Sequence, residues 1–481
     1  MAKTASSSTY IFCATLNAIV FVVLVINSNF GESKSIVKTL PGYAGKLPFR
    51  METGYVGVGD LDELQLFYYF IESERNPVRD PLLLWLTGGP GCSGFSGLVF
   101  EVGPLTFDYE TFNGSLPSLL DNPYSYTKIA NMIFLDAPVG TGFSYCKTQK
   151  GWYSSDTLST KAIYEFIQKW IMDHPKFNKN PLYITGDSYS GMIVPMVSLE
   201  IAIGNMARHY PYLHFQGYMI GNPVTDLHND ENSRVKYFHR VGLISSELYE
   251  SAKQNCGQEY ISPDTLNADC MNDIELIARC TLKVCDAQIL EPKCSFASPK
   301  PKGLKWGSKF FDDQPLDIDF KEPQREENWC RNSNYVLSYV WANDESVQKA
   351  LHIRNGTVLE WKRCNKTLAY DSDVLSVVLY HKKLIEGGYR GLVYSGDHDM
   401  LIPYTGTIYW IKTLNLTAVD NWRPWFVEGQ IAGFTVKYAN ITSTGDGLVF
   451  ATVKGGGHTA PEYKPKECLE MVDRWLSYYL L

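Results

Sequence analysis

Leu182-Tyr183-Ile184-Thr185-Gly186-Asp187-Ser188-Tyr189-Ser190-Gly191-Met192 begins as an apolar, partly β-branched run and ends where a helical pattern opens toward Ile203. Between the two lies a turn of small residues with a serine at its tip. A tight strand-to-helix turn of this kind lifts a hydroxyl clear of its own backbone, at the positive end of the following helix, and reads as a nucleophile elbow. Ser188 is the expected nucleophile. The strict G-x-S-x-G form is missed, because Ser190 stands at the second glycine position and Gly191 follows it. The sterics ask only for a small residue there.

The segments around this turn repeat a strand, helix, strand rhythm. Leu64–Ile71 and Leu82–Leu86 read as strands, as do residues 132–135 and 217–220. Residues 159–173 carry Ala162, Ile163, Phe166, Ile167, Trp170 and Ile171 at helical spacing, and Pro175 marks the stop. This pattern predicts an α/β fold with a mostly parallel central sheet and helices on both faces.

Two glycine-bearing loops follow buried strands, over residues 87–94 and 136–145. Thr87-Gly88-Gly89-Pro90-Gly91-Cys92-Ser93-Gly94 lets backbone N–H groups approach a ligand closely. It lacks the G-K-[ST] ending of a phosphate loop. After a strand of an α/β-hydrolase such a loop supplies one oxyanion donor and the residue after the nucleophile supplies the other, so Gly89 and Tyr189 are the expected pair.

From about Thr225 the rhythm breaks. The stretch to Cys330 holds Cys256, Cys270, Cys280, Cys285, Cys294 and Cys330, with amphipathic helical pieces and little strand signal. Residues 297–328 are rich in Pro, Lys, Asp and Glu, which predicts an exposed loop open to excision by proteases. The expected division is a core half over 31–224, a cap insertion over 225–335, and a second core half over 336–481.

The second half supplies the partners that the serine lacks. Residues 336–351 read as a helix, and 391–394 and Leu448–Val453 as strands. Ser395-Gly396-Asp397-His398-Asp399 follows the first strand, and Lys454-Gly455-Gly456-Gly457-His458 follows the second. Ser188, Asp397 and His458 stand in the order Ser, Asp, His of an α/β-hydrolase triad. His458 would be the general base and acid, and Asp397 would hold its tautomer. Asp399 is the rival acid, read as a turn residue, and His398 reads as a solvated loop residue.

Composition narrows the rest. The 481 residues are 45% hydrophobic with net charge −8, and no Lys/Arg-rich run offers a footing for nucleic acid or anionic membrane. Residues 1–30 carry Lys3, a polar run and the apolar core Ala18 to Ile26, too short to span a bilayer, which reads as a secretory signal. Sequons at Asn113, Asn355, Asn365, Asn415 and Asn440 agree with secretory passage. So do ten cysteines beyond Cys13 with no paired CxxC zinc pattern; disulfides are the better reading, and no metal or cofactor is expected.

Taken together, the residues 85–93, 134–145, 186–191 and 455–458 resemble the serine carboxypeptidase family, over about residues 37–481. The resemblance implies an α/β-hydrolase fold with a cap. It also implies bridges Cys92–Cys364, Cys256–Cys270 and Cys294–Cys330, leaves Cys280 and Cys285 as a further candidate pair, and leaves Cys146 and Cys468 as free thiols.

Two departures bear on function. Peptidases of the family carry asparagine at the place of Thr87 and glutamate at the place of Asp187, and those two side chains hold a peptide's terminal carboxylate. A single hydroxyl and a shorter acid cannot rebuild that clamp. Thr87 and residues 187–191 look instead like the plant acyltransferase branch, the serine carboxypeptidase-like proteins. That resemblance implies a 1-O-acyl-β-D-glucose donor, an alcohol acceptor from plant secondary metabolism, and Thr87 and Asp187 as substrate-binding residues. A carboxypeptidase or esterase is the alternative. A non-catalytic companion of an active paralogue, or a homo-oligomer, is a further expectation about partners, and the expected location is the vacuole or the cell exterior.

Overall fold

The computed structural model describes residues 34–293, 331–439 and 447–481. The expected signal over 1–30, the loop over 297–328, the Cys294–Cys330 bridge and Asn440 lie outside the described residues.

Ten strands build most of one mixed sheet: β1 (Lys34–Val37), β2 (Met51–Val58), β3 (Leu64–Ile71), β4 (Leu82–Leu86), β5 (Asn131–Leu135), β6 (Leu182–Asp187), β7 (Phe215–Gly221), β8 (Arg390–Gly396), β9 (Gln430–Ala439) and β10 (Leu448–Val453). Their spatial order is β1-β2-β3-β5-β4-β6-β7-β8-β10-β9. The centre from β5 to β10 is parallel, and both flanks are antiparallel. Ser188 follows β6, in the middle of the parallel centre.

Both faces of the sheet are covered, and the side-chain alternation of the strands shows it. Along β3, Phe67, Tyr69 and Ile71 join one buried cluster while Leu66, Tyr68 and Phe70 join the other. Along β4, Leu83 and Trp85 face one way and Leu82, Leu84 and Leu86 the other. This period of two in a mostly apolar run is what a strand buried on both sides requires. Truncating a fully buried leucine such as Leu84 to alanine would cost about 2–5 kcal/mol.

The helices that position the site are α1 (Asp156–Asp173), α2 (Ser190–Met206), α3 (Leu227–Arg240), α4 (Ser246–Asn255), α5 (Ala268–Thr281), α6 (Arg331–Ala342), α7 (Glu345–Ala350), α8 (Val378–Glu386), α9 (Tyr404–Thr413), α10 (Ala460–Tyr463) and α11 (Pro465–Leu476). In α1, Ser155 accepts from Leu158 N at the start, and Ile163, Phe166, Ile167, Trp170 and Ile171 are buried. The single helix expected over 336–351 is two, α6 and α7. The break comes at Asp344, whose carboxylate takes Ser346 N and Val347 N and caps a new helix.

Among the described residues between β7 and α6, none adds a strand to the sheet. Val235, Tyr237 and Phe238 of α3, Ala252 of α4 and Ile244 between the two helices form a small third cluster, joined by Tyr260, Ile277 of α5 and Met400 from the loop after β8. The cluster therefore ties the inserted helices to a loop of the core.

Candidate active site

The elbow is shaped by backbone contacts. Ser188 has φ +56°, a left-handed conformation that costs a non-glycine residue energy and marks the turn as strained. Three backbone bonds hold it: Ser188 N donates to Gly221 O at 2.9 Å, while Gly191 N and Val224 N donate to Ser188 O at 2.9 and 3.0 Å. A Cβ on Gly88 would fall 2.6 Å from Ser188 Cβ, and one on Gly191 would fall 2.4 Å from Pro223 Cβ. Glycine is required at 191, and a serine is accommodated at 190.

Ser188 Oγ lies 2.7 Å from His458 Nε2, and His458 Nδ1 lies 2.8 Å from Asp399 Oδ2. The structure corrects the expected acid: His458 is partnered by Asp399, and Asp397 is not its partner. Asp397 N still pairs with Val453 O, continuing the ladder with β10, and the Asp397 carboxylate takes Gly455 N at 2.6 Å. The chain then turns, Asp399 N donating to Gly396 O at 3.4 Å, and the turn brings Asp399 back beneath the imidazole, fully buried. His398, read as solvated, is half-buried beside Asp397.

Asp399 is held on all sides. Its Oδ2 also accepts Asn222 Nδ2 at 2.8 Å, its Oδ1 accepts Leu401 N at 2.7 Å, and Asn222 Oδ1 in turn takes Gly396 N at 3.0 Å. Asn222 escaped the sequence reading, since a lone asparagine after a strand carries no signal. Burial pulls the His458 imidazole down, but the charge and hydrogen bond of Asp399 raise it. Asp187 adds to them and Arg234 opposes, so His458 stands above the ordinary imidazole value.

The inserted segment reaches this centre. His458 N donates to Ala287 O at 2.7 Å, Gln288 Nε2 donates to Gly455 O at 3.1 Å, and Ile289 N donates to His398 O at 3.1 Å. A Cβ on Gly457 would stand 2.4 Å from Ala287 O, so the glycine run before His458 allows this close approach.

The loop of Gly89 is anchored from the far half of the chain. Cys92 is bridged to Cys364, Ser93 N donates to Arg363 O at 2.8 Å, and Asn365 N donates to Gly91 O at 2.8 Å. Gly89 has φ +128°, which disfavours any side chain. Asp136 ties this loop to the next: it accepts Ser93 Oγ at 2.5 Å, Gly94 N at 2.9 Å and Phe143 N at 2.8 Å. Burial pushes the Asp136 carboxyl up to about 7 against those bonds.

Beside the serine, Asp187 is buried and accepts Gly88 N at 3.3 Å, and Thr87 Oγ1 is buried with no hydrogen bond among the described residues. Burial raises the Asp187 carboxyl to about 6, with His458 opposing. Glu101, which the sequence did not single out, is buried nearby; burial and the charges of Asp187 and Glu462 hold its carboxyl well above the usual range. Among the described residues, no group of three or more His, Cys, Asp or Glu is placed to hold a metal ion.

A family profile described as serine carboxypeptidase matches residues 41–478. The chain belongs to the serine carboxypeptidase family. Serine carboxypeptidase-like 2 of Arabidopsis thaliana is 47% identical over 446 residues, 93% of each chain. Serine carboxypeptidase-like 16 of the same plant is 46% identical over 459 residues, 95% of this chain and 97% of the relative. Kex1Δp, a prohormone-processing carboxypeptidase from Saccharomyces cerevisiae, superposes with a TM-score of 0.67 at 18% identity, over 89% of this chain and 91% of that one, a likeness of fold. The fold is the α/β-hydrolase fold, and the family is one of serine hydrolases.

Of the bridges implied by the family resemblance, Cys92–Cys364 and Cys256–Cys270 are formed. Among the described residues, Cys280 and Cys285 form no bridge, to each other or to another cysteine, and Cys146 and Cys468 are buried thiols. Asn113, Asn355 and Asn415 are exposed, whereas half-buried Asn365 uses its Nδ2 to donate to Gly140 O at 2.9 Å. Among the described residues, no helix is long and apolar enough to cross a membrane.

Proposed function

We propose that this member of the serine carboxypeptidase family is an acyltransferase that moves an acyl group from a 1-O-acyl-β-D-glucose ester to an alcohol of plant secondary metabolism. The observation that carries the reading is the pairing of a connected Ser188–His458–Asp399 chain with Thr87 and Asp187 beside it. The hydrolytic machinery is kept while the residues implied to clamp a peptide carboxylate are altered.

In this reading Ser188 Oγ attacks the ester carbonyl as His458 Nε2 takes its proton across 2.7 Å. Asp399, 2.8 Å from Nδ1, stabilises the imidazolium. The N–H groups of Gly89 and Tyr189 receive the oxyanion. Collapse expels glucose, whose C1 oxygen takes the proton from His458, and leaves Ser188 acylated. The acceptor hydroxyl then gives its proton to His458 and attacks the acyl carbonyl, and Ser188 leaves with that proton. Thr87 and Asp187 bind substrate next to the serine. Ester exchange of this kind requires no cofactor, and the protein acts in the vacuole or outside the cell.

Water reaching the acyl-enzyme instead gives hydrolysis, the carboxypeptidase or esterase alternative. The test incubates glycosylated protein with a panel of acyl glucoses, with and without alcohol acceptors, and follows glucose and ester together. A new ester, absent in Ser188→Ala, supports transfer. Free acid that no acceptor diminishes replaces it with hydrolysis. Silence with every donor, and no labelling by a fluorophosphonate, leaves the companion role.

A further inference from the structure

Tyr189 follows the nucleophile and is buried, and its hydroxyl is held at the far end of the ring. It donates to Asp156 Oδ1 at 2.9 Å and lies 2.6 Å from Ser372 Oγ. Since the phenol proton is committed to the carboxylate, Ser372 is the donor in the second contact. Tyr370 OH donates to the same Oδ1 at 2.7 Å, and Val374 N donates to Oδ2 at 3.1 Å. The two tyrosine rings meet edge-on, 6.2 Å between centroids.

This cluster joins three remote parts of the chain. Asp156 is wholly buried in the first turn of α1, where the helix dipole favours a carboxylate. Residues 369–371 pair with 153–155 in a short parallel ladder, and Asp373 accepts Thr157 N at 3.0 Å and Ser155 Oγ at 3.1 Å. The third part is the residue whose backbone N–H the proposed reaction uses. At the entry to α2, Tyr189 makes no side-chain capping bond, and the residue before it is strained at φ +56°. A phenylalanine would fill the same space without the two polar partners, so packing alone does not account for the phenol.

We propose that Asp156, Tyr370 and Ser372 are positioning residues for the Tyr189 N–H, anchoring its ring so that the amide stays aimed at the oxyanion. The inference rests on the acyl-enzyme reading above. By fixing the distal oxygen of the ring, the cluster restrains Cα and the peptide plane between Ser188 and Tyr189. An oxyanion donor acts only when it is set in place before charge develops.

The test compares 4-nitrophenyl acetate with its thionoester in the full-length protein and in Tyr189→Phe, Asp156→Asn, Asp156→Ala and Ser372→Ala. A thiocarbonyl fits an oxyanion hole poorly, so the oxygen-to-thiono rate ratio reports the hole itself. Tyr189→Phe and Asp156→Ala are expected to lower kcat on the oxygen ester about tenfold, less than the hundredfold or more that follows loss of a donor, with KM within about twofold. The rate ratio falls in parallel. Asp156→Asn, which keeps an oxygen acceptor for both phenols, restores most of both quantities, and Ser372→Ala has a smaller effect of the same kind. An unchanged ratio in Tyr189→Phe, whether or not both rates drop, overturns the inference alone. Wild-type protein that reacts with neither ester nor a fluorophosphonate overturns the acyl-enzyme reading and this inference with it.

Discussion

The two ends of the Ser188–His458–Asp399 hydrogen-bond chain are built differently. Ser188 is set by main chain: the turn is pinned by backbone bonds to Gly221, Gly191 and Val224, and the loop at Gly88 lies so close that a Cβ there would fall 2.6 Å from Ser188 Cβ. His458 is set from elsewhere, by a carboxylate on the loop after β8 and by the Ala287 carbonyl of the inserted segment. The serine turn is thus held by backbone groups of the strands and loops beside it, whereas the imidazole depends on a side-chain carboxylate and a carbonyl brought in on two separate loops. The insertion shares the seam on which the histidine loop rests.

The comparison breaks most sharply at the acid. Asp399→Asn is expected to lower kcat about 10⁴-fold, as loss of a triad carboxylate does, while Asp397→Asn stays within about tenfold of wild type. Steady-state kinetics on any ester that the protein turns over would decide it, and the reverse ranking would return the role to Asp397. Gly457→Ala tests the seam. Its new Cβ would meet Ala287 O at 2.4 Å, so the histidine loop and the insertion must part, and kcat should fall about a hundredfold while the far-ultraviolet circular dichroism of the sheet and helices is retained. Wild-type activity in this variant would mean that the insertion does not bear on the base.

A smaller effect is expected one step behind the acid. Asn222→Ala removes a hydrogen bond to the carboxylate oxygen that also serves His458, worth about 1.5–3 kcal/mol and so about ten- to a hundredfold in kcat, with KM little changed. Smallest is a shift along the pH axis. Since Asp399 and Asp187 together outweigh burial and raise His458, and the imidazole must be neutral to accept the serine proton, the acid limb of kcat/KM should lie above the ordinary imidazole value of about 6.5. The rate should fall as pH drops through that range. Asp187→Asn removes one raising charge and should move the limb downward; a limb that stays in place would show that Asp187 does not act on the base.

How much of this was legible depends on the range of the interaction. Strands β3, β4 and β10 appear over the residues their largely apolar runs mark, because a strand buried on both faces admits a polar residue only where it finds a partner, as Gln65 and Thr452 do. The continuous helix that the pattern over 336–351 predicts is broken at Asp344, because a capping aspartate inside an amphipathic pattern looks like an exposed helical residue until its partners are seen. Asn222, Glu101 and the Asp156 cluster left no trace in the sequence. Each matters through partners dozens or hundreds of residues away.

By itself the sequence determined the fold class and singled out Ser188 and His458, which the structure brings to 2.7 Å, because strand burial and the small residues of a tight elbow are constraints written into consecutive residues. The choice between Asp397 and Asp399 was decided only in three dimensions. Both stand on one loop two positions apart, and what separates them is that the first still extends the ladder with β10 while the turn after it carries the second under His458. A turn's direction depends on what it packs against, and that is a property of the assembled sheet and insertion.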